Sequence, residues 1–102
     1  MKLDDEQFDA AVDQMRTLAA GGAHLEEVLI FSRTHIAARM NTVASLVAFQ
    51  RAFGIPLTVA ACLGVWEGFH GENPPVSGES LEAEFGEQIR SAARSLSIKR
   101  NG

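Results

Sequence analysis

Three histidines, one cysteine and a pair of adjacent glutamates are the residues of this 102-residue chain whose types invite chemistry. A metal site needs three or four converging ligands at characteristic spacings. His24 and His35 are eleven residues apart, His70 stands far along the chain, and no two histidines share an i, i+4 relation. They read as surface residues, and no metal site is expected. Cys62 is the only thiol and lies in an apolar segment, which predicts a buried, inert side chain and, with no partner for a bridge, a reducing compartment. Glu26 and Glu27 are neighbours in sequence and therefore diverge on a helix, so they make no acid–base pair. No serine sits in a G-x-S-x-G elbow and no glycine cluster has the order of a phosphate-binding loop. Catalytic and cofactor-binding residues are therefore not expected, and the chain does not read as an enzyme.

The element around which the chain is organised is Thr42 to Phe69, where 28 residues pass with only Arg51 and Glu67 charged. Such a run has to be buried. Arg51, Pro56 and two glycines interrupt it before the 18 to 20 or so clean apolar residues of a membrane span accumulate. It divides at Phe53-Gly54-Ile55-Pro56, where glycine closes one helix in the left-handed conformation and proline is tolerated at the start of the next. The first arm of this hairpin, Thr42 to Phe53, carries Val43, Leu46, Val47, Phe49 and Phe53, an apolar surface wide enough to meet neighbours on two sides. The second arm, Pro56 to Gly68, places Leu57, Ala60, Ala61 and Gly64 on a small side and Val59, Leu63 and Trp66 on another. Trp66 is a candidate interface anchor, because aromatic residues concentrate at interface centres.

Flanking elements read as helices too. Asp4 and Gln7 form a capping-box pair, with Leu3 and Phe8 placed to close over it, and Phe8, Val12, Met15 and Leu18 or Ala19 recur at helical spacing until Gly21-Gly22. A second helix is predicted from about His24 to His35, burying Leu25, Val28, Leu29 and Ser32 or Ile36. Because Leu29, Ile30 and Phe31 are consecutive, some apolar surface must point away from its main stripe. A joint at 37–41 follows, with Asn41 as the next cap; without that break one long helix would run through to Phe53. His70 to Ser80 is predicted as a loop, Ser80 as the cap of a last helix burying Leu81, Phe85, Ile89 and Leu96, and 97–102 as a frayed basic tail. No stretch alternates with period two. The expectation is a single all-α domain spanning 1–102, four to five short helices packed around the central hairpin.

Charge is distributed unevenly within a net of −4. Met1 to Asp13 holds one lysine against five acids, and Glu67 to Glu87 holds six glutamates and no base. Arg90, Arg94, Lys99 and Arg100 then follow without an acid. Acidic segments repel phosphate, so a protein with a basic surface is a better partner than nucleic acid. The partner-binding candidates are Asp9 and Asp13, which share a helix face, together with Glu67, Glu72, Glu84 and Glu87. The first residues are acidic and lack the apolar core of a secretion signal, so a cytoplasmic protein is expected. The function expected is protein binding, in the form of an inhibitor that covers a basic toxin surface, with a homodimer as a further option. The alternative is a nucleic-acid-binding or ribosome-associated factor using Arg33, His35, Arg39 and Arg51. Against it, Pro56 to Val65 offers only Thr58 and Cys62 where a recognition helix would need side chains that read bases.

The run from Val43 to Leu63, with Ala52-Phe53-Gly54-Ile55, Leu57 and Ala60, resembles the hairpin in the C-terminal domain of the bacterial large-subunit ribosomal stalk protein. That resemblance covers about a quarter of the chain and implies the turn at Gly54. The stalk's factor-recruiting lysines are replaced here by Thr42, Val47 and Thr58, so its function does not carry over. The chain as a whole is similar in style to small helical immunity proteins, which implies a bacterial inhibitor.

Overall fold

A computed structural model describes residues 3–70 and 75–101, with 97–101 described by main chain alone. The fold is all-α. Helix α1 is Asp5–Ala20, α2 Leu25–Ser32, α3 Thr42–Phe53, α4 Leu57–Leu63, α5 Gly78–Leu81 and α6 Glu87–Asn101. Helix α2 runs on into a π-helical turn at Arg33–Ala37, and a second such turn at Glu82–Gly86 joins α5 to α6, so the described residues form five continuous rods, with a short 3-10 turn at Glu67–Phe69 after α4. A single bridge between Trp66 and Val76 is the only β-type pairing among the described residues.

Helix α1 begins where the Asp4 carboxylate accepts from the Gln7 N–H at 2.8 Å and the Gln7 side chain accepts from the Asp4 N–H at 3.1 Å, both halves of the capping box. It ends in a Schellman arrangement, with Ala23 N–H donating to Leu18 O and Gly22 N–H to Ala19 O. Gly22 takes a φ of 98° there, a conformation that suits glycine. The joint at 37–41 is present, and the Asn41 side chain accepts from Ala44 N–H at 2.8 Å to start α3. Gly54, at φ 64°, turns the chain into the hairpin, and Pro56 stands as the cap of α4. The end of α3 borrows its cap from α1: Arg16 donates to the carbonyls of Ala52 at 2.9 Å and Arg51 at 3.1 Å. Two carbonyls that no α-helix can satisfy internally are thereby paired.

The core is drawn from every rod. Met15, Ala19, Val28, Leu29, Ile36, Ala48, Phe49, Ala52, Ala60, Leu63 and Ala93 are fully buried, with Leu25, Ile89, Trp66 and Phe85 beside them. Ser32 and Ser45, the buried polar pair, are satisfied: Ser32 Oγ donates to Leu29 O, and Ser45 Oγ donates to Ser32 O at 3.1 Å. Gly64 lets the hairpin arms close, since a β-carbon there would sit 3.0 Å from a Leu46 methyl.

Three expectations need correction. The second arm ends at Leu63, earlier than Gly68, because Val65 and Glu67 turn outward to pair with Val76, whose N–H donates to Val65 O and whose carbonyl accepts from Glu67 N–H. Cys62 is exposed, because Ala60 and Leu63 take the buried stripe of so short a helix. The last rod is capped by Ser77, whose hydroxyl accepts from Ser80 N–H at 3.1 Å.

Candidate functional site

The most strongly coupled charges join the last rod to the start of α2. Glu82 and Arg90 form a two-pronged pair at 2.6 and 2.9 Å, each side chain less than a fifth exposed. Eight residues overshoot two α-helical turns by about 80°. The wider π-helical turn between them takes up part of that excess and aligns the two. Glu82 also accepts from the Leu25 N–H at 2.9 Å, and Arg90 donates to Ala23 O at 3.3 Å. One carboxylate thus caps α2 from across the core while its arginine holds the preceding loop. The hydrogen bonds from Arg90, aided by the Leu25 N–H and opposed by burial, hold the Glu82 carboxyl at about 2, and the same carboxylate raises Arg90. His24 Nδ1 stands 3.6 Å from Glu82, with most of its ring in solvent. Gly86 makes room: a β-carbon there would overlap the Glu82 carboxylate. The cluster has a structural task, holding two rods in register, and its groups are already satisfied by one another.

The candidates read from the sequence are dispersed by the fold. Asp9 pairs with Arg51 at 3.2 Å and Asp13 with Arg16 at 3.1 Å, so both are engaged with arginines of this chain. Glu87 lies 3.5 Å from Arg90 and 3.7 Å from Arg94. Glu67 and Glu84 are exposed, and Glu72 lies outside the described residues. Trp66 is 3 % exposed and cannot serve as a surface anchor. Its indole N–H donates to the Glu26 carboxylate at 3.3 Å, Phe69 meets it edge-on, and Arg33 lies 5.3 Å from its ring centroid. Arg33 and Arg51 are therefore each engaged within the chain. Among the described residues, no group of three or more His, Cys, Asp or Glu is placed to hold a metal ion. No helix of the described residues is long and apolar enough to cross a membrane.

What the fold does build is a groove between the antiparallel helices α1 and α2. It is lined by Leu3 just before α1 and, along α1, by Gln7, Ala10, Ala11, Gln14 and Leu18, positions that recur on one face at helical spacing. Along α2 and its π-helical extension it is lined by Glu27, Ile30, Phe31, Thr34, His35 and Arg39. From Gln7 to Leu18 the helical rise gives a length of about 16 Å. Two clefts occupy it, one of about 340 Å³ toward Arg39 and one of about 450 Å³ toward Glu27. Phe31 and His35, tilted against each other with ring centroids 4.4 Å apart, line both clefts and form the wall between them. Ala10 and Ala11 are too small to fill the space beneath, and Ile30 remains 42 % exposed at the rim. Both clefts are shallow and open to solvent, with mainly apolar walls and a few polar groups at their edges. No protein-family model matches this chain, and no curated protein or solved structure was found that resembles it.

Proposed function

We propose that this chain is a small protein-binding module without catalytic chemistry, which takes a segment of another protein into the groove between α1 and α2. The observation that carries this reading is the pair of apolar clefts sharing the Phe31 and His35 wall. They offer two adjacent seats for apolar side chains on a rigid two-helix frame, the manner in which grooves accept helical or extended segments. Neutralising a bacterial toxin is one form this function can take, with the groove replacing an acidic surface as its basis. Asp9, Asp13 and Glu87 are each engaged with arginines of the chain itself, which weakens the acidic version. The test is selection of phage-displayed random peptides on the folded chain, followed by binding to groove variants. Ala10→Trp fills a cleft from an exposed position and Phe31→Ala removes the shared wall. Both should lower the affinity of selected peptides by about tenfold or more, while Val43→Ser on the hairpin leaves it unchanged. A library that yields no binders, or binders indifferent to both groove variants, refutes the proposal.

A further inference from the structure

We infer that the groove reads a polarity in its partner: apolar side chains for the two clefts, with a carboxylate at the Arg39 end and none at the Glu27 end. This rests on the groove being the binding site and adds to it the chemistry of the occupant. The charges of the groove are segregated. The cleft toward Arg39 is bordered by the amides of Gln7 and Gln14, by His35 and by Arg39, with no acid in its lining, whereas the other cleft has Glu27 at its edge. Glu27 already accepts from the His24 N–H at 3.1 Å and so stays fixed there as an acceptor.

Arg39 differs from the other arginines whose side chains are described. Arg16 pairs with Asp13, Arg51 with Asp9, Arg90 with Glu82, and Arg94 with Glu87, while Arg33 lies over Trp66. Among the described residues Arg39 alone has no carboxylate or aromatic partner, in a chain whose acids outnumber its Lys and Arg by 13 to 9. Nor does the chain supply an acid nearby in sequence, for none occurs between Glu27 and Glu67. An exposed guanidinium at the mouth of an apolar cleft offers a forked pair of donors that match a carboxylate, and desolvation by the partner strengthens that match. A carboxylate near Glu27 meets like charge and is disfavoured, which fixes the direction in which the segment lies.

Peptides selected on the full chain test this directly. The sequences that lose binding to Ala10→Trp should share an Asp or Glu at one fixed end of their apolar pair. Arg39→Ala should weaken them by about fivefold, as a rim ion pair does at low salt. Selection repeated on Arg39→Glu should replace that acid with Lys or Arg. Groove-dependent peptides that show no acid preference and bind Arg39→Glu as well as the unaltered chain overturn the inference while leaving the proposed function standing. Peptides indifferent to Ala10→Trp and Phe31→Ala overturn both.

Discussion

Replacing Glu82 with glutamine keeps the side chain's size and an oxygen for the Leu25 N–H while removing the charge that Arg90 grips from two sides. The folded chain holds this carboxyl at about 2 against an ordinary 4.5. At 1.36 kcal/mol per pH unit, that difference corresponds to about 3 kcal/mol. The carboxylate is 18 % exposed, so solvent screening reduces the expected figure to about 2 kcal/mol at pH 7. Because the folded value is depressed, the stabilisation is complete above about pH 5 and is lost as pH falls through the folded value. Urea unfolding followed by far-UV circular dichroism, performed on both chains at pH 7, 5, 4 and 3, measures the gap. Glu82→Gln should be less stable by about 2 kcal/mol at pH 7, with the gap narrowing steadily below about pH 4. Other acids titrate in both chains and cancel in the difference. A gap under about 0.5 kcal/mol at pH 7, within the range of ordinary surface substitutions, would refute the role assigned to the pair. A gap of full size that persists unchanged to pH 3 would refute its electrostatic origin.

Two further outcomes follow from the same geometry. Gly86→Ala should destabilise the chain by about 1 to 2 kcal/mol although alanine favours helix by about 1 kcal/mol, because the new methyl lies where the Glu82 carboxylate now rests. Combined with Glu82→Gln in a double-mutant cycle it should be far less than additive, and simple additivity would show the two are unconnected. Cys62 should react with Ellman's reagent in the native chain at the rate of a free exposed thiol. Protection that lifts only on denaturation would mean that its helix turns the other way.

Local signals were the legible ones. Asp4 with Gln7, Asn41, and Gly54 before Pro56 act through atoms a few residues away, so their chemistry can be read from spacing, and each does in the structure what the spacing predicts. The boundaries that failed are those where a distant group competes. Ser80 is a sound cap by type, but Ser77 lies one turn earlier and takes the position once Val76 has paired with Val65. The second hairpin arm has the composition to continue to Gly68, yet pairing across to Val76 stops it, and with the shorter helix Cys62 turns outward. Glu82 and Arg90, eight apart, fall outside the i, i+3 and i, i+4 pairs of an α-helix. They meet because the turn between them is π-helical, a feature with no compositional mark here.

The groove illustrates a deeper reason that binding surfaces escape such reading. Ala10 and Ala11 look like filler in the stripe of α1, and their smallness becomes a cleft only because Phe31 and Leu18 stand across and beside them. The consecutive Leu29, Ile30 and Phe31 did show that α2 must present apolar surface in a second direction, and that surplus is what lines the groove. The status of Arg39 is a still more global property. An arginine is unpaired only by comparison with every acid that has found another partner, and those partners, Asp9 for Arg51 across 42 residues and Glu82 for Arg90 across a π-helical turn, are set by the fold. The acidic segments that drew attention in the sequence are thus partly neutralised by this pairing. The cation they leave over lies where an apolar cleft can bring it a carboxylate from outside.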